Sequence, residues 1–252
     1  WTGVSGAGKM LITRQIMTDG ISCTVTISDD SKALLSAYKE GGAVVGLWNR
    51  DQPNQDLSPA KYVVESLEDI DEEFLERVAR RRLGLPWVIA RTARLVIREF
   101  REEDWKELER WLDREKPEKG FADREAFLAY IKSQYGFFEF GIWAVTERRT
   151  GRLIGRAGLT QIEESWRKLE ERGLDLEIGY HIFPPYRQKG YGTEAAKAIT
   201  AYGEENLEAN VWARIKKENK PSRRLAEELG FILIDPECNG LRLYLHQNDC
   251  CC

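Results

Sequence analysis

The turn Arg187-Gln188-Lys189-Gly190-Tyr191-Gly192 brings together residue types suited to holding an anion. It follows an apolar run, Leu176 to Phe183, and precedes a stretch rich in small residues that reads as a helix. The run has the length of a buried strand. Pro184 and Pro185 end it, because neither can donate to a sheet ladder. A strand, a glycine turn and a helix start leave the first-turn N–H groups free of intrahelical acceptors and aimed at a negative charge. Gly190 and Gly192 let the backbone take positive φ and approach a ligand closely. Arg187 and Lys189 add positive charge to the same turn, so a phosphate-bearing cofactor is the expected guest.

Two candidate proton carriers, Glu177 and His181, stand on the strand that leads into this turn. Period 2 puts Glu177, Gly179, His181 and Phe183 on one face and Leu176, Ile178, Tyr180 and Ile182 on the other, which is the core face. A charged Glu in mid-strand costs free energy unless it has a partner or a task. It is either the base or one half of an ion pair with a nearby Arg. His181 is the rival base, with an ordinary pKa nearer neutrality. The two lie about 13 Å apart along the strand, so they cannot share one proton.

Further motifs extend the pattern. Asn219-x-x-Ser222 and Leu229-Gly230-Phe231 follow downstream, and Arg94-Leu95-Val96-Ile97-Arg98 with Glu103-Asp104 stands upstream. Ile142-Trp143-Ala144-Val145 leads through Gly151 to Gly155-x-x-Gly158-Leu159. In this order, over roughly Arg91 to Leu245, they resemble the GNAT N-acetyltransferases, and within them the RimJ/RimL-like branch. The resemblance implies an α/β (α+β) fold with a mixed, mostly antiparallel sheet flanked by helices. It also implies an acetyl-CoA-dependent enzyme that acetylates a primary amine of a protein N-terminus or a small molecule.

The same resemblance implies roles for individual residues. The amides of Gln188, Lys189, Gly190, Tyr191, Gly192 and Thr193 would hold the pyrophosphate, with Arg187 beside them. The strand edge near Ile182 and Phe183 would pair with the pantetheine arm and supply an N–H to the reacting carbonyl. Glu177 would be the base, ahead of His181. The Tyr that many members place on the helix after the Asn motif is replaced by Ala226, which leaves Ser222 to assist the departing sulfur. Asn219 would hold the pantetheine amides. Simple capping of a helix that opens with Pro221 also explains Asn219 and Ser222. The missing Tyr keeps a different class of function open, a non-catalytic acyl-CoA-binding sensor.

The remaining elements read from pattern. Leu95 to Phe100 is a strand, Glu103 to Arg114 a helix carrying Trp105 and Trp111, and Asp123 caps a further helix with Phe127 and Ile131. Gly141 to Glu147 and Arg152 to Gln161 form a hairpin, Asn210 to Lys216 a strand, and Pro221 to Leu229 a helix with Gly230 at its C′ position. The tryptophans at helical spacing are expected in the core. Ile162 to Gly173 is highly charged and reads as a solvated excursion beside the acceptor cleft.

A small βαβ unit is expected over residues 10–90, ahead of the second domain at 91–247. Cys23 to Ile27, Ala43 to Trp48 and Tyr62 to Val64 read as strands, and Asp29 to Gly41 and Asp71 to Leu83 as helices. Strand–helix–strand with short links favours parallel pairing. Ser28-Asp29-Asp30 to Gly41, then Val44-Val45-Gly46, resembles the last βαβ part of a HAD-like, Rossmann-like hydrolase. The nucleophilic Asp-x-Asp loop of such hydrolases is missing, which leaves a non-catalytic accessory domain. Asp29 and Asp30 are expected to cap the first helix, and Arg80-Arg81-Arg82 to suit a helix C-terminus. Gly84 to Thr92 reads as the junction.

Composition sets outer limits. The 252 residues are 42% hydrophobic and 32% charged, with a net charge of −4. That describes a globular chain of two domains without a basic field for nucleic acid. No apolar run reaches membrane length. Gly3-x-x-x-x-Gly8-Lys9 matches a phosphate-binding loop superficially, yet lacks a preceding strand and the Ser or Thr after Lys9. Residues 1–9 are expected to be an appended leader before Met10. Cys23 and Cys238 stand apart, and Cys250 to Cys252 form a tail at 248–252 without zinc-site spacing, so no metal is expected. A cytoplasmic monomer or homodimer, with acetyl-CoA and an amine acceptor as its only partners, is the resulting expectation.

Overall fold

In the computed structural model, residues 2–3, 9–50, 52, 54–112, 120–162, 173–238 and 240–247 are described. The chain divides into two units, Trp1–Trp87 and Val88–Cys252. In the first, the short strand β1 (Thr2–Gly3) pairs with β2 (Leu11–Thr18), which forms a hairpin with β3 (Ile21–Ser28). Asp19 and Gly20 both take positive φ between them, the two-residue turn that matches strand twist. Strand β2 was not among the expected elements, although Asp-Gly between alternating apolar residues is its signal.

Helix α1 (Ser31–Lys39) crosses from β3 to the parallel strand β4 (Ala43–Leu47), and β5 (Tyr62–Val64) adds to β4 in parallel. Every residue of β4 is buried, which explains its unbroken apolar run. Leu34 packs with Val44 and Leu57 in one cluster, and Val25, Ile27, Val45, Leu75 and Ala79 pack in another that includes α2 (Glu72–Arg82).

The acidic pair at the start of α1 does more than cap it. Asp30 occupies the N-cap position. Lys9 Nζ at 2.7 Å and, more weakly, the first-turn N–H groups of Lys32 and Ala33 hold its carboxyl below the ordinary value. Asp29 accepts the Met10 N–H at 2.7 Å. These contacts tie residues 9–10 to the unit. The three arginines likewise have partners beyond a helix dipole. Arg80 pairs with Asp19 and Glu76, Arg81 donates to the Tyr62 hydroxyl, and Arg82 donates to the Tyr38 and Gly41 carbonyls. Cys23 is a buried free thiol. The Cys238 side chain, the Cys250–Cys252 tail, most of the Gly3–Lys9 motif and the charged run after Ile162 lie outside the described residues.

The second unit is an eight-stranded sheet in the order β12-β13-β11-β10-β9-β8-β7-β6. Its strands are β6 (Val88–Arg91), β7 (Leu95–Arg98), β8 (Ile142–Glu147), β9 (Leu153–Gln161), β10 (Leu174–Ile182), β11 (Ala209–Lys216), β12 (Phe231–Cys238) and β13 (Leu241–His246). All neighbouring pairs are antiparallel except β10 with β11. Helices α3 (Trp105–Leu108), α4 (Arg124–Phe137), α5 (Tyr191–Glu205) and α6 (Lys220–Glu228) complete it. Ile178, Ile199, Val211 and Trp143 share its core.

Two expectations change here. The junction read over Gly84 to Thr92 contains the edge strand β6, whose residues pair with Arg98, Ile97 and Val96. The helix expected over Glu103 to Arg114 is one short turn, α3. Asp104 at its start takes both guanidinium nitrogens of Arg98 at 2.7 and 2.9 Å. Trp111 leaves the helical path to stack on Phe183, with ring centroids 5.5 Å apart. Both tryptophans therefore serve the core. Among the described residues, no helix is long and apolar enough to cross a membrane.

A fragment beginning at Val88 is expected to unfold cooperatively on its own core. Starting instead at Thr92 deletes β6 and should lower the midpoint by about 4–8 °C, roughly 2 kcal/mol for a unit of this size. Thermal melts of both fragments check this; equal midpoints would remove β6 from the fold's requirements.

Candidate active site

The parallel ladder between β10 and β11 runs only from Leu174↔Ala209 to Glu177↔Trp212. Beyond it β10 stays paired with β9, and β11 stays paired with β13. The two strands therefore part, and a cavity of about 590 Å³ lies where they do, bounded also by α6. Strand alternation decides which peptide groups face it. The Phe183 N–H donates to Ile154 O of β9 at 2.9 Å, so odd-numbered residues of β10 point their peptide groups at β9. Tyr180 and Ile182 point theirs into the opening, while the Ile178 N–H still takes part in the last pair of the ladder, Glu177↔Trp212. This corrects the expectation for Phe183: its N–H is spent on β9, while that of Ile182 faces the gap. Unpaired strand N–H groups beside a cavity call for a ligand that can continue the ladder.

The glycine turn lies beside this opening: a Cβ at Gly192 would stand 3.8–3.9 Å from Ile182, Leu225 and Tyr180. Gly190 sits at φ 77° as the N-cap of α5, without a side-chain cap, and Gln188 also takes positive φ. The first α5 bond runs from Glu194 N–H to Gly190 O, leaving the N–H groups of Tyr191, Gly192 and Thr193 without intrahelical acceptors. Arg187 turns back, donating to Ile182 O at 2.8 Å and lying 3.3 Å from His181 Nε2. Lys189 donates to Pro185 O at 3.0 Å.

Arg94, which sequence reading placed only in a strand motif, braces the turn. Its guanidinium donates to Lys189 O at 2.8 Å, pairs with Glu194 at 2.6 Å and lies over the Tyr191 ring. Burial pushes the Glu194 carboxyl up, but hydrogen bonds from Thr92 and Arg94 outweigh it and hold its pKa below the ordinary value. The Glu194 carboxylate of the brace therefore stays charged across the neutral range.

Glu177 and Arg214 form the floor. Arg214 Nε and its terminal nitrogen both contact Glu177 Oε2, at 2.7 and 2.6 Å. The ion-pair reading of Glu177 is thus realised, and Oε1 carries no hydrogen bond from a described residue. Both residues also line a second cavity, of about 530 Å³, on the α4 side of the sheet. His181 lines only the first cavity.

Asn219 caps α6 by accepting the Ser222 N–H at 3.2 Å. Its capping role is present, and its amide nitrogen remains for a ligand. Tyr180 was assigned to the core face, and its ring does lie there, near the start of α5 and Leu225 of α6. Its hydroxyl, however, is buried in the first cavity without a hydrogen bond of good geometry. Burial pushes the phenol up, and the Ser222 hydroxyl beside it works the other way. A Tyr on the strand thus stands next to Ser222, opposite the helix position where Ala226 has no hydroxyl. Nothing in periodicity distinguishes such a residue from a core tyrosine.

Residues 94–232 match the family described as the acetyltransferase (GNAT) domain, more than half of the chain. The chain belongs to the GNAT acetyltransferases. The protein YkkB of Bacillus subtilis (strain 168) is 32% identical over 90 residues, 35% of this chain and 49% of that protein. The uncharacterized N-acetyltransferase p20 of Bacillus licheniformis is 30% identical over 90 residues, 35% and 47% of the two chains. The chain spans about half the length of these curated relatives. A ribosomal-protein-S5-alanine acetyltransferase from Vibrio fischeri shares the fold at 15% identity and a TM-score of 0.51, over 66% of this chain and 97% of that structure.

Within this GNAT domain, a Cβ at Gly192 would meet no protein atom closer than 3.8 Å. Gly192→Val is therefore expected to fold normally while weakening acetyl-CoA binding at least about tenfold, or 1.4 kcal/mol. Calorimetry with a parallel melt checks this; unchanged affinity would remove the turn from the binding site.

Proposed function

We propose that this GNAT domain is an acetyl-CoA-dependent N-acetyltransferase acting on a primary amine. The observation that carries the reading is the parting of β10 and β11. It leaves the open edge of β10 and the Glu177–Arg214 pair on one cavity, with the start of α5 packed beside it at Ile182, Tyr180 and Leu225. Such a donor set fits a pyrophosphate joined to an extended, amide-bearing arm: anion at the helix start, amides along the strand edge. Gln188, Lys189, Gly190, Tyr191, Gly192 and Thr193 would hold the pyrophosphate, with Arg187 keeping the strand end in place. Tyr180 and Ile182 would hold the arm through their peptide groups, and Asn219 through its amide nitrogen.

Acetyl-CoA supplies the acetyl thioester; the chain supplies alignment and protons. The Tyr180 N–H, the open one on β10 nearest Glu177, is placed to donate to an oxygen that gains charge. Glu177 Oε1, the carboxylate oxygen left free by Arg214, accepts the proton of the acceptor ammonium. A nitrogen–carbon bond forms, the carbon–sulfur bond breaks, and the sulfur needs one proton, which balances the second proton that the nitrogen loses as the amide forms. Ser222 Oγ gives it and is resupplied by Tyr180 Oη, the two hydroxyls lying side by side. Glu177 lines both cavities and His181 only one, which favours Glu177 as the base. Acetyl-CoA as donor points to the cytoplasm as the place of reaction. No observation favours the sensor reading over this one.

Glu177→Gln is expected to lower kcat by roughly 10²–10⁴, the range for loss of a general base, with acetyl-CoA affinity nearly unchanged. The acidic limb of the pH–rate profile should move or vanish, and His181→Gln should do far less. If His181→Gln abolishes turnover while Glu177→Gln leaves rate and profile intact, the two roles are exchanged. Tyr180→Phe keeps the ring and removes the proton. It is expected to lower kcat about tenfold or more without changing KM for acetyl-CoA; an unaltered kcat would leave Ser222 to act alone.

A further inference from the structure

The second cavity holds information about the acceptor. Its walls are Phe121, Tyr130, Phe138 and Phe140, and its floor is Glu177 with Arg214. Phe121 and Tyr130 contact one another at 5.0 Å between centroids, and Phe138 and Phe140 at 5.1 Å. Phe121 is 2% exposed, whereas Phe138 is 47% exposed, so the aromatic surface runs from the interior to the solvent.

The polar side chains within these walls are already engaged. The Tyr130 oxygen accepts the Ile142 N–H at 2.6 Å, and burial pushes its pKa up to about 12, which keeps it neutral. Gln134 donates to Phe140 O at 2.9 Å. Both hold the wall in shape and turn ring or methylene surface inward. Thr160 and Gln161 are exposed at the end of β9. The one carboxylate oxygen on this floor without a protein hydrogen bond is Glu177 Oε1, among the described residues. The cavity thus pairs an extended aromatic lining with a single anionic point at its base. Its 530 Å³ falls within the range of small-molecule sites.

We propose that the acceptor is a primary amine borne on an aromatic body. The ring lies among Phe121, Tyr130, Phe138 and Phe140, and the nitrogen reaches Glu177. This rests on the transferase reading above and adds the acceptor class to it. Ring-to-ring contact supplies about 0.5–1.5 kcal/mol for each aromatic pair beyond the area buried, which makes the ring the main source of selectivity. The same rings could instead attract a second cation through their faces, so a diamine is the informative competitor.

The test uses the full chain with saturating acetyl-CoA and follows thiol release with 3-phenylpropylamine, propylamine and 1,5-diaminopentane. The aryl amine is expected to have a kcat/KM at least ten times that of either competitor. Phe138→Ala and Phe140→Ala should each reduce that ratio several-fold, mainly through KM for the amine. Acetyl-CoA affinity should stay unchanged, and Phe140→Tyr should restore most of the preference. Equal kcat/KM for the three amines, or a preference for the diamine, overturns the aryl acceptor and leaves the transferase reading standing. If acetyl-CoA binds yet no amine in the panel is acetylated, the transferase reading fails and takes the acceptor with it.

Discussion

A parallel ladder that stops after Glu177↔Trp212 is the constraint on which the second unit depends. Two strands that share a sheet ordinarily satisfy one another's peptide groups along their whole length. Here each is retained by its other neighbour, β9 or β13, and the unsatisfied edge is carried inside the sheet. The antiparallel pairing on either side stabilises this opening. Without it, the strands would either close or leave buried N–H groups costing about 1–3 kcal/mol each. The sequence of events along the cavity then follows from geometry. In the proposed reading, an anion lies where α5 begins, amides lie along β10, and the reacting centre lies toward Glu177, where the ladder resumes.

Much of this was legible in the chain itself, and the reasons are physical. Gly190 and Gly192 between an apolar run and a helix have few uses other than close approach of backbone to an anion. Period 2 placed Glu177 and His181 on one face, and short-range pattern located α1, α4, α5 and α6. What stayed hidden depends on long-range pairing. Nothing local marks the residue at which a parallel ladder stops. The direction of the Phe183 N–H follows from register with β9, and register is a property of two strands. Arg214 lies 37 residues from Glu177, and only the β10–β11 pairing brings them together.

The charged helix ends were legible only in part, for a different reason. Asp30 does stand at the N-cap of α1, and Arg80, Arg81 and Arg82 do fill the last turn of α2. What local pattern could not give is their distant partners: Lys9, Asp19, the Tyr62 hydroxyl or a turn carbonyl. The strand Val88–Arg91 was taken for a connection for a related reason. An edge strand beside a proline-containing turn carries little periodic signal, and its pairing with β7 is what identifies it.

The parting of the strands also separates two kinds of inheritance. As proposed, the donor side is written largely in peptide groups, at Tyr180, Ile182 and the first turn of α5, and any side chain compatible with the backbone preserves them. The acceptor side is written in side chains, on α4, β8 and the segment before β8. Substitution can therefore rewrite what is acetylated while leaving the donor contacts untouched. Among the described residues Glu177, Gly179 and Arg214 line both cavities, and Glu177 and Arg214 are the charged ones, so they are the positions at which drift in one specificity is bound to disturb the other.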